Sequence, residues 1–242
     1  MSRTVHERRR PGLERVAASA GSLAFAAIAA PCLLAAVAYT GLRGEAYSPL
    51  NHWISELGQP GVSRYASVVN PALVLAGLAF LVFVAGLALT SPSRLRWLFG
   101  PIGALAGIGG SLVGIFPMDH PNEHVAAASV FFELGWVFVA LASVTFVRAR
   151  DARFPPWLAG VGAIDAVASI AFLVALRVDA FSQERMATDG PITGRPDVWI
   201  APILEWATLI GIMAWVLLTS LAWLRQLRRE EVTGAVAVGR TA

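Results

Sequence analysis

Charged residues are scarce in this chain, and lysine is missing altogether. Of its 242 residues only 14% are charged and 56% are hydrophobic, and all 19 of its Lys and Arg residues are arginine. Soluble globular domains carry about 25% charged residues, so this composition argues against an ordinary soluble domain. The arginines flank apolar runs and do not form a patch, which argues against a nucleic-acid-binding surface.

Several catalytic signatures are also missing. The single cysteine, Cys32, allows neither an internal disulfide nor a Cys-x-x-Cys redox site, and we interpret it as a small apolar core residue. The chain has no glycine-rich phosphate loop and no Gly-x-Ser-x-Gly elbow. Nucleotide hydrolysis and serine-esterase chemistry therefore lack the residues that they need.

The chain is rich in apolar runs of membrane-spanning length. A bilayer core about 30 Å thick is crossed by about 20 helical residues at roughly 1.5 Å each. The runs that reach this length are 16–39, 67–89, 95–116, 125–147, 157–178 and 199–224. We therefore predict an all-α fold, a polytopic membrane bundle of six transmembrane helices over residues 16–224. A basic segment at 1–15 precedes it and a tail at 225–242 follows it.

Small residues in the third run predict close helix packing. The run contains the pairs Gly103-x-x-x-Gly107 and Gly110-x-x-x-Gly114. In lipid, such spacings let two helix backbones approach each other. We therefore predict that the third span is central in the bundle.

The arginine distribution predicts the orientation. Cytoplasmic ends of membrane helices carry the excess of Lys and Arg. One side of the predicted bundle holds only Arg43, Arg64, Arg177, Arg185 and Arg195. The remaining arginines lie on the side of both termini, so we predict a multi-pass protein of the cell membrane with both termini cytoplasmic. A cleaved signal peptide is disfavoured because a signal core is about 7–15 residues long, shorter than the first run.

The first of two polar blocks follows the first span on the predicted outer side. It contains His52, Ser55 and Glu56, which would share one face if the segment were helical. An imidazole, a hydroxyl and a carboxylate in this proximity suit acid–base chemistry. In the alternative, structural interpretation, Ser55 and Glu56 orient a short interfacial helix. Trp53 then anchors this helix at headgroup level and Gly58 ends it.

The second polar block connects the third and fourth spans and supplies Asp119, His120, Glu123 and His124. His120 and His124 have the four-residue spacing of metal ligands on a helix, and a neighbouring carboxylate would complete a site for a divalent metal such as zinc. Pro121 suits the first turn of the next helix, in which case His120 precedes that helix and the spacing is accidental. Capping by Asp119 and solvation of the charged groups is the alternative.

Carboxylates also fall inside the predicted spans, where an unpaired charge is costly. These residues are Glu133, Asp165 and Glu205. Glu133 follows His124 by about 13 Å of helix. Such acids are candidates for proton carriers or for the polar end of a cavity, and the alternative is a protonated carboxyl that is hydrogen-bonded to a neighbouring helix.

At its polar blocks the chain resembles a family of bacterial and archaeal six-span proteins, the domain-of-unknown-function family 998. The matching residues are Ile54–Gly58, Asn70, Gly77, 114–117, Asp119, His124, Glu205 and Trp215. The resemblance implies a six-span membrane protein and carries over no activity. The chain departs from the family pattern at Trp206, where relatives place an arginine. A fainter likeness, through the Ile-Ser-acid-x-Gly loop and the later histidine, connects the chain to DRAM/Sfk-type membrane proteins, which are associated with lipid handling.

These observations predict a pocket on the extracytoplasmic face that binds or acts on a lipid, an isoprenoid or another amphiphile. The predicted site residues are His52, Ser55, Glu56, Asp119, His124, Glu133 and Glu205, with His120 and His124 as candidate metal ligands. A non-catalytic membrane scaffold or partner subunit is the first alternative. A proton-coupled carrier that uses Glu133 is the second. The lipid bilayer is the expected partner, and nucleic acid is not.

Overall fold

Six long helices make up most of the part of the chain that the structure describes. In the computed structural model, residues 10–179 and 194–239 are described, with side chains up to residue 233. The helices are α1 Pro11–Val37, α2 Ala66–Thr90, α3 Arg96–Ile115, α4 Pro121–Ala149, α5 Trp157–Val178 and α6 Ile200–Gly239. A short 3-10 helix, Ile54–Gly58, lies between α1 and α2. All six long helices are long and apolar enough to cross a membrane, which confirms the predicted fold class.

The helix boundaries agree with the predicted spans to within a few residues at most ends. Two helices extend further than predicted. Helix α1 begins at Pro11, a residue favoured in the first turn, so part of the predicted 1–15 segment is helical. Helix α6 continues to Gly239, so most of the predicted tail prolongs the last helix.

The helices pack as a closed ring. Each helix packs against the next one in sequence, and α6 returns to α1 and also contacts α4. Because successive helices are antiparallel, the ring has two ends. The terminal end carries the beginning of α1, the end of α6 and the loops 91–95 and 150–156. The loop end carries the loops 38–65 and 116–120 and the segment before α6.

Glycine allows α3 to approach both of its neighbours. A Cβ atom on Gly77 of α2 would lie 2.7 Å from the backbone nitrogen of Ser111 in α3. A Cβ atom on Gly109 of α3 would lie 2.8 Å from the backbone nitrogen of Phe131 in α4. The prediction that α3 is central is nevertheless wrong. It packs against α2 and α4, whereas α6 packs against α1, α4 and α5.

Aromatic side chains fill the interior of the ring. Trp215 and Phe83 are fully buried, and the rings of Phe146 and Trp215 are stacked with their centroids 5.6 Å apart. The outer surface is apolar as well, with exposed side chains such as Val37 and Ile164. An apolar exterior around an apolar core is what a lipid-facing helix bundle requires.

A buried ionic cluster joins several segments at the terminal end. Arg153 Nη2 lies 2.7 Å from Asp151 Oδ2, and Arg153 Nη1 donates to the Thr90 hydroxyl at 2.9 Å. Arg153 Nη1 also lies 3.5 Å from Glu14 Oε2, which accepts the indole N–H of Trp223 at 2.8 Å. We call these five residues the Arg153 cluster. It connects α1, α2, α6 and the α4–α5 loop through one buried arginine and the two carboxylates that it contacts.

Candidate functional site

The 3-10 helix organises the loop end, where it packs against α1, α2 and α6. Two carboxylates accept the backbone N–H groups at its beginning. Trp53 N–H donates to Glu56 Oε1 at 2.8 Å, and Ile54 N–H donates to Glu205 Oε2 at 2.7 Å. At its other end, the Asn70 amide donates to the Gly58 carbonyl at 2.9 Å. Side chains from α2 and α6 thus hold the 3-10 helix in place.

His52, Ser55 and Glu56 do not share a helical face, which was expected only if the whole segment were helical. The 3-10 helix begins only at Ile54, so the α-helical offsets of three and four do not apply. Ser55 lines a cavity, whereas Glu56 and His52 are buried in an ionic cluster. Two observations support the structural interpretation. Glu56 accepts a hydrogen bond from the backbone N–H of Trp53, and the 3-10 helix ends at Gly58.

An arginine from the segment before α6 pairs with Glu56. Glu56 is 2% exposed, and Arg195 donates to it twice, from Nη1 to Oε1 at 3.0 Å and from Nη2 to Oε2 at 2.9 Å. Tyr39 donates to Glu56 Oε2 at 3.3 Å, and Arg195 donates to the Asn51 carbonyl at 3.1 Å. Such two-point charge-assisted pairs are strong and directional. We call Tyr39, His52, Glu56 and Arg195 the Glu56 cluster.

His52 is buried in this cluster. The ring centroids of Tyr39 and Tyr47 lie 5.4 Å and 5.1 Å from that of His52. His52 Nδ1 lies 2.8 Å from Asn51 Oδ1, and the orientation of the Asn51 amide is fixed because its nitrogen donates to the Pro196 carbonyl. The Ser48 backbone N–H donates to the same Nδ1 at 3.3 Å. The Nε2 atom of His52 is buried and has no hydrogen-bond partner among the described residues.

The surroundings set the protonation states of this cluster. Burial lowers the pKa of His52; the charge of Glu56 opposes this shift and that of Arg195 adds to it. Burial raises the pKa of the Tyr39 and Tyr47 phenols, and nearby carboxylates add to the rise. At neutral pH the imidazole is therefore uncharged and both phenols are hydrogen-bond donors. The Glu56–Arg195 pair carries the charge of the cluster.

A partly open cavity of about 70 Å³ lies next to the 3-10 helix and is lined by that helix and by α1, α2, α3, α4 and α6. Most of its wall is apolar, with Phe80 and Phe131 among the larger side chains. Its polar side chains are Ser55, His124 and Glu205, and the thiol of Cys32 lines it as well. One water needs roughly 10–15 Å³, and pockets for drug-sized ligands measure roughly 300–1,000 Å³. The cavity therefore suits a slim group.

His124 presents a hydrogen-bond acceptor to the cavity. Its Nδ1 lies 2.8 Å from the backbone carbonyl of Phe116. Because a carbonyl only accepts, Nδ1 must donate, and the neutral ring then has an unprotonated Nε2. The same bond closes the turn between α3 and α4. His124 therefore has one ring nitrogen committed to the fold and one available to a ligand.

Glu205 likewise divides its two oxygen atoms between structure and cavity. It is 5% exposed, and its Oε2 accepts the Ile54 N–H, which leaves Oε1 for the cavity. The next residue, Trp206, marks the departure from the family pattern. Its indole N–H donates to the Tyr47 hydroxyl at 2.8 Å, so it braces the Glu56 cluster and supplies no cation to Glu205.

Two predicted intramembrane acids lie outside the cavity. Glu133 is exposed on the outer side of α4, so its predicted place in the pocket is wrong. Nine residues at about 100° each place it roughly half a turn away from His124. Asp165 is 1% exposed and lies between α5 and α6, beside Gly211. Its Oδ1 is 3.5 Å from the Ser169 hydroxyl.

The loop between α3 and α4 brings no metal site together. Asp119 and His120 are exposed, and His120 precedes α4 with non-helical backbone angles. In the part of the chain that the structure describes, no three His, Cys, Asp or Glu residues are grouped as metal ligands would be. The spacing of His120 and His124 is therefore not accompanied by a third described ligand. Nor does Asp119 cap α4, whose beginning has no side-chain cap hydrogen bond.

Sequence reasoning did not single out Arg195, Tyr39 or Tyr47. Arg195 is 139 positions from Glu56, so no local pattern connects them. One signal was available, because Arg195 lies on the side where arginine is rare. An arginine in such a place suggests a specific partner.

Comparisons with known proteins bear on the family alone. No curated protein and no solved structure matches the chain. A family model matches residues 27–222, more than half of the chain, including the 3-10 helix, the Glu56 cluster and the whole cavity wall. The likeness to DRAM/Sfk-type proteins stays a prediction. The predicted family is confirmed, and the chain belongs to the family described as "Protein of unknown function (DUF998)".

Proposed function

We propose that this integral membrane protein binds a slim amphiphile in the cavity at its loop end. The polar head would meet Ser55, His124 and Glu205, and the hydrocarbon chain would lie against the apolar wall. The observation that carries this proposal is the convergence of these three polar side chains in an otherwise apolar cavity. Binding sites for small molecules commonly combine an apolar lining with a few polar groups that orient the ligand.

The hydrogen-bonding state of the cavity wall supports a ligand. Buried polar groups are normally hydrogen-bonded, since an unpaired one is costly. His124 and Glu205 each use one polar atom to hold the fold, and both residues line the cavity. Their other polar atoms, His124 Nε2 and Glu205 Oε1, would bond to a ligand head group. The same groups would also suit acid–base chemistry on that head group.

A non-catalytic scaffold is the second candidate, and one observation favours it. Glu56 and Arg195 satisfy each other across two loops, as a purely structural clasp would. The proton-coupled carrier has less support, because Glu133 is exposed away from the cavity.

Cavity filling tests the proposal. Ala128 lines the cavity, and Ala126 is exposed on the same helix, so Ala128→Leu and Ala126→Leu make the same change in different places. We expect a single-chain amphiphile with a fluorescent tail to bind saturably to the purified wild-type protein in nanodiscs. Ala128→Leu should weaken this binding about tenfold, since overpacking typically costs about 1–3 kcal/mol.

The control gives the opposite expectation. Ala126→Leu should bind the amphiphile as the wild type does, because its side chain faces lipid. Equal binding by all three proteins would contradict a cavity site and would favour the scaffold. Thermal unfolding of each variant shows whether the leucine has changed the fold.

A further inference from the structure

We infer that the ligand's head group is a primary alcohol, an uncharged hydrogen-bond donor on a single hydrocarbon chain, and not a carboxylate or a phosphate. This inference rests on the proposed function and narrows its ligand class. It follows from the donor and acceptor pattern of the cavity wall, from its charge and from its size.

The polar part of the wall can both accept a hydrogen bond and donate one. The Phe116 carbonyl fixes the proton of His124 on Nδ1, so Nε2 accepts. Glu205 Oε1 is a carboxyl oxygen that its fold-stabilising partner, Ile54 N–H, leaves unused. The Ser55 hydroxyl can both donate and accept. A head group that donates one hydrogen bond and accepts another matches this set, and an alcohol does both.

An anionic head group would be unfavourable here. No arginine lines the cavity in the described part of the chain, and the sequence contains no lysine. The nearby guanidinium of Arg195 already donates twice to Glu56 and once to the Asn51 carbonyl. A carboxylate or phosphate would be buried beside the Glu205 carboxyl without a cation, and burial of an uncompensated charge is costly.

The size of the cavity disfavours bulky heads. Its volume of about 70 Å³ is less than half of the roughly 150 Å³ cavity that binds benzene in another protein. It holds a hydroxyl and a few methylene groups, and the rest of the chain would leave through the open side of the cavity. This small volume favours a primary alcohol at the end of an unbranched chain over a ring-shaped or branched head group.

Three probes of equal chain length test this inference. A long-chain primary alcohol, the corresponding carboxylate and the corresponding alkyl phosphate would each compete with the fluorescent amphiphile for wild-type protein in nanodiscs. We expect the alcohol to compete at concentrations about tenfold lower than either anion. A tenfold difference in affinity corresponds to about 1.4 kcal/mol, roughly the contribution of one charge-assisted hydrogen bond.

A matched pair of substitutions locates the selectivity. In Glu205→Gln the amide oxygen still accepts the Ile54 N–H, while the carboxyl is replaced by a neutral group that donates. The advantage of the alcohol over the carboxylate should shrink about tenfold. Glu133→Gln makes the same chemical change on the exposed side of α4 and should leave the selectivity unchanged.

A milder variant keeps the test decisive if Glu205→Gln does not fold. Ser55→Ala removes one hydroxyl from the cavity wall and leaves the hydrogen bonds at the ends of the 3-10 helix intact. It should weaken binding of the alcohol about threefold, in line with one neutral hydrogen bond.

The outcomes separate the two proposals. Binding that is lost in Ala128→Leu but shows equal or better competition by the anions would overturn the alcohol inference and leave the proposed function standing. Selectivity that is equally reduced in Glu205→Gln and Glu133→Gln would also overturn it. Absence of any binding that Ala128→Leu weakens would overturn the proposed function itself.

Discussion

The two ends of the bundle contain the same chemical pair in different surroundings. At the terminal end Arg153 lies beside Glu14, and at the loop end Arg195 lies beside Glu56. Both glutamates are 2% exposed. Each pair connects segments that are far apart in sequence, so each can hold the ring closed at its own end.

The two ends differ in whether their buried polar atoms all have hydrogen-bond partners. The Arg153 guanidinium donates from Nε, Nη1 and Nη2 and lies 5.3 Å from the ring centroid of Trp223. At the loop end, His52 Nε2 has no partner among the described residues, and the 3-10 helix connects the cluster to the polar wall of a cavity. Glu14 of the Arg153 cluster also borders a pocket, so the contrast rests on the hydrogen bonds. A cluster whose polar atoms are all paired points to stability, and a cluster with an unpaired buried nitrogen points to binding.

The largest expected effect concerns which of the two ends lies on the cytoplasmic side of the membrane. The arginine distribution predicts that the terminal end lies in the cytoplasm. Reporters fused after Arg94 or Arg150 should therefore read cytoplasmic, and those fused after Glu56 or Asp189 should read external. Asp189 lies outside the described residues. An external reading after Arg150 would reverse the assignment of the two ends.

Substitution of Arg153 should cause the largest loss of stability. Arg153→Met leaves Glu14 and Asp151 buried without their cation, and removal of one partner from a buried ionic group typically costs about 3–5 kcal/mol. Thermal unfolding in detergent should show a clear decrease in Tm, while the folded fraction still binds the amphiphile. Arg148→Met is the control, since Arg148 is exposed. Loss of ligand selectivity in folded Arg153→Met protein would contradict the division between the ends.

The loop-end pair should show a smaller effect on stability together with an effect on binding. Glu56→Gln and Arg195→Gln each leave one charge without its partner, and in the double variant both charges are gone. We expect a double-mutant cycle to give a coupling of about 1.5–3 kcal/mol in unfolding free energy. The amphiphile should also bind more weakly to Glu56→Gln, because Ser55 and Glu56 lie on the same 3-10 helix. Additive losses of stability would mean that the two side chains do not interact.

The smallest expected effect is the pH dependence that His52 contributes at the loop end. Burial lowers the pKa of His52 below its ordinary value of 6.5. Above that value the ring is neutral in both states, so His52 adds no slope. As the pH falls through 6.5, the unfolded chain takes up a proton that the folded protein does not, so stability decreases.

Substitution of His52 isolates its contribution to the pH dependence of stability. Tm measured from about pH 8 to about pH 5 should decrease less steeply at the acidic end in His52→Gln than in the wild type. His120→Gln should keep the wild-type slope because His120 is exposed. Identical slopes in the wild type and His52→Gln would show that His52 is not buried as described.

The sequence predicted the spans well for a simple physical reason. The bilayer imposes a length and an apolar composition on every spanning helix, and this requirement is local in sequence. Ser55, His124 and Glu205 were identified for a related reason, since polar groups at or within apolar spans are conspicuous. Their grouping around one cavity depends on packing between helices.

Two failures show where local reasoning ends. Glu133 was placed in the pocket by its depth along α4, although helical periodicity already turns it away from His124. Arg195 was overlooked because its partner, Glu56, is distant in sequence and because the 3-10 geometry of Ile54–Gly58 decides which way the carboxylate points. The depth of a residue in the bundle and its charge could be predicted from the sequence, whereas the direction in which its side chain points depends on the fold.

Photo-crosslinking tests the central claim most directly. A long-chain primary alcohol with a diazirine near its hydroxyl would be irradiated with the wild-type protein in nanodiscs, and the labelled residues would be identified by mass spectrometry. We predict labels on cavity residues such as Phe131 and Met213. These labels should be fewer in Ala128→Leu than in the wild type and unchanged in Ala126→Leu. Labels confined to lipid-facing residues such as Leu89 and Ile164, with no effect of Ala128→Leu, would contradict this prediction.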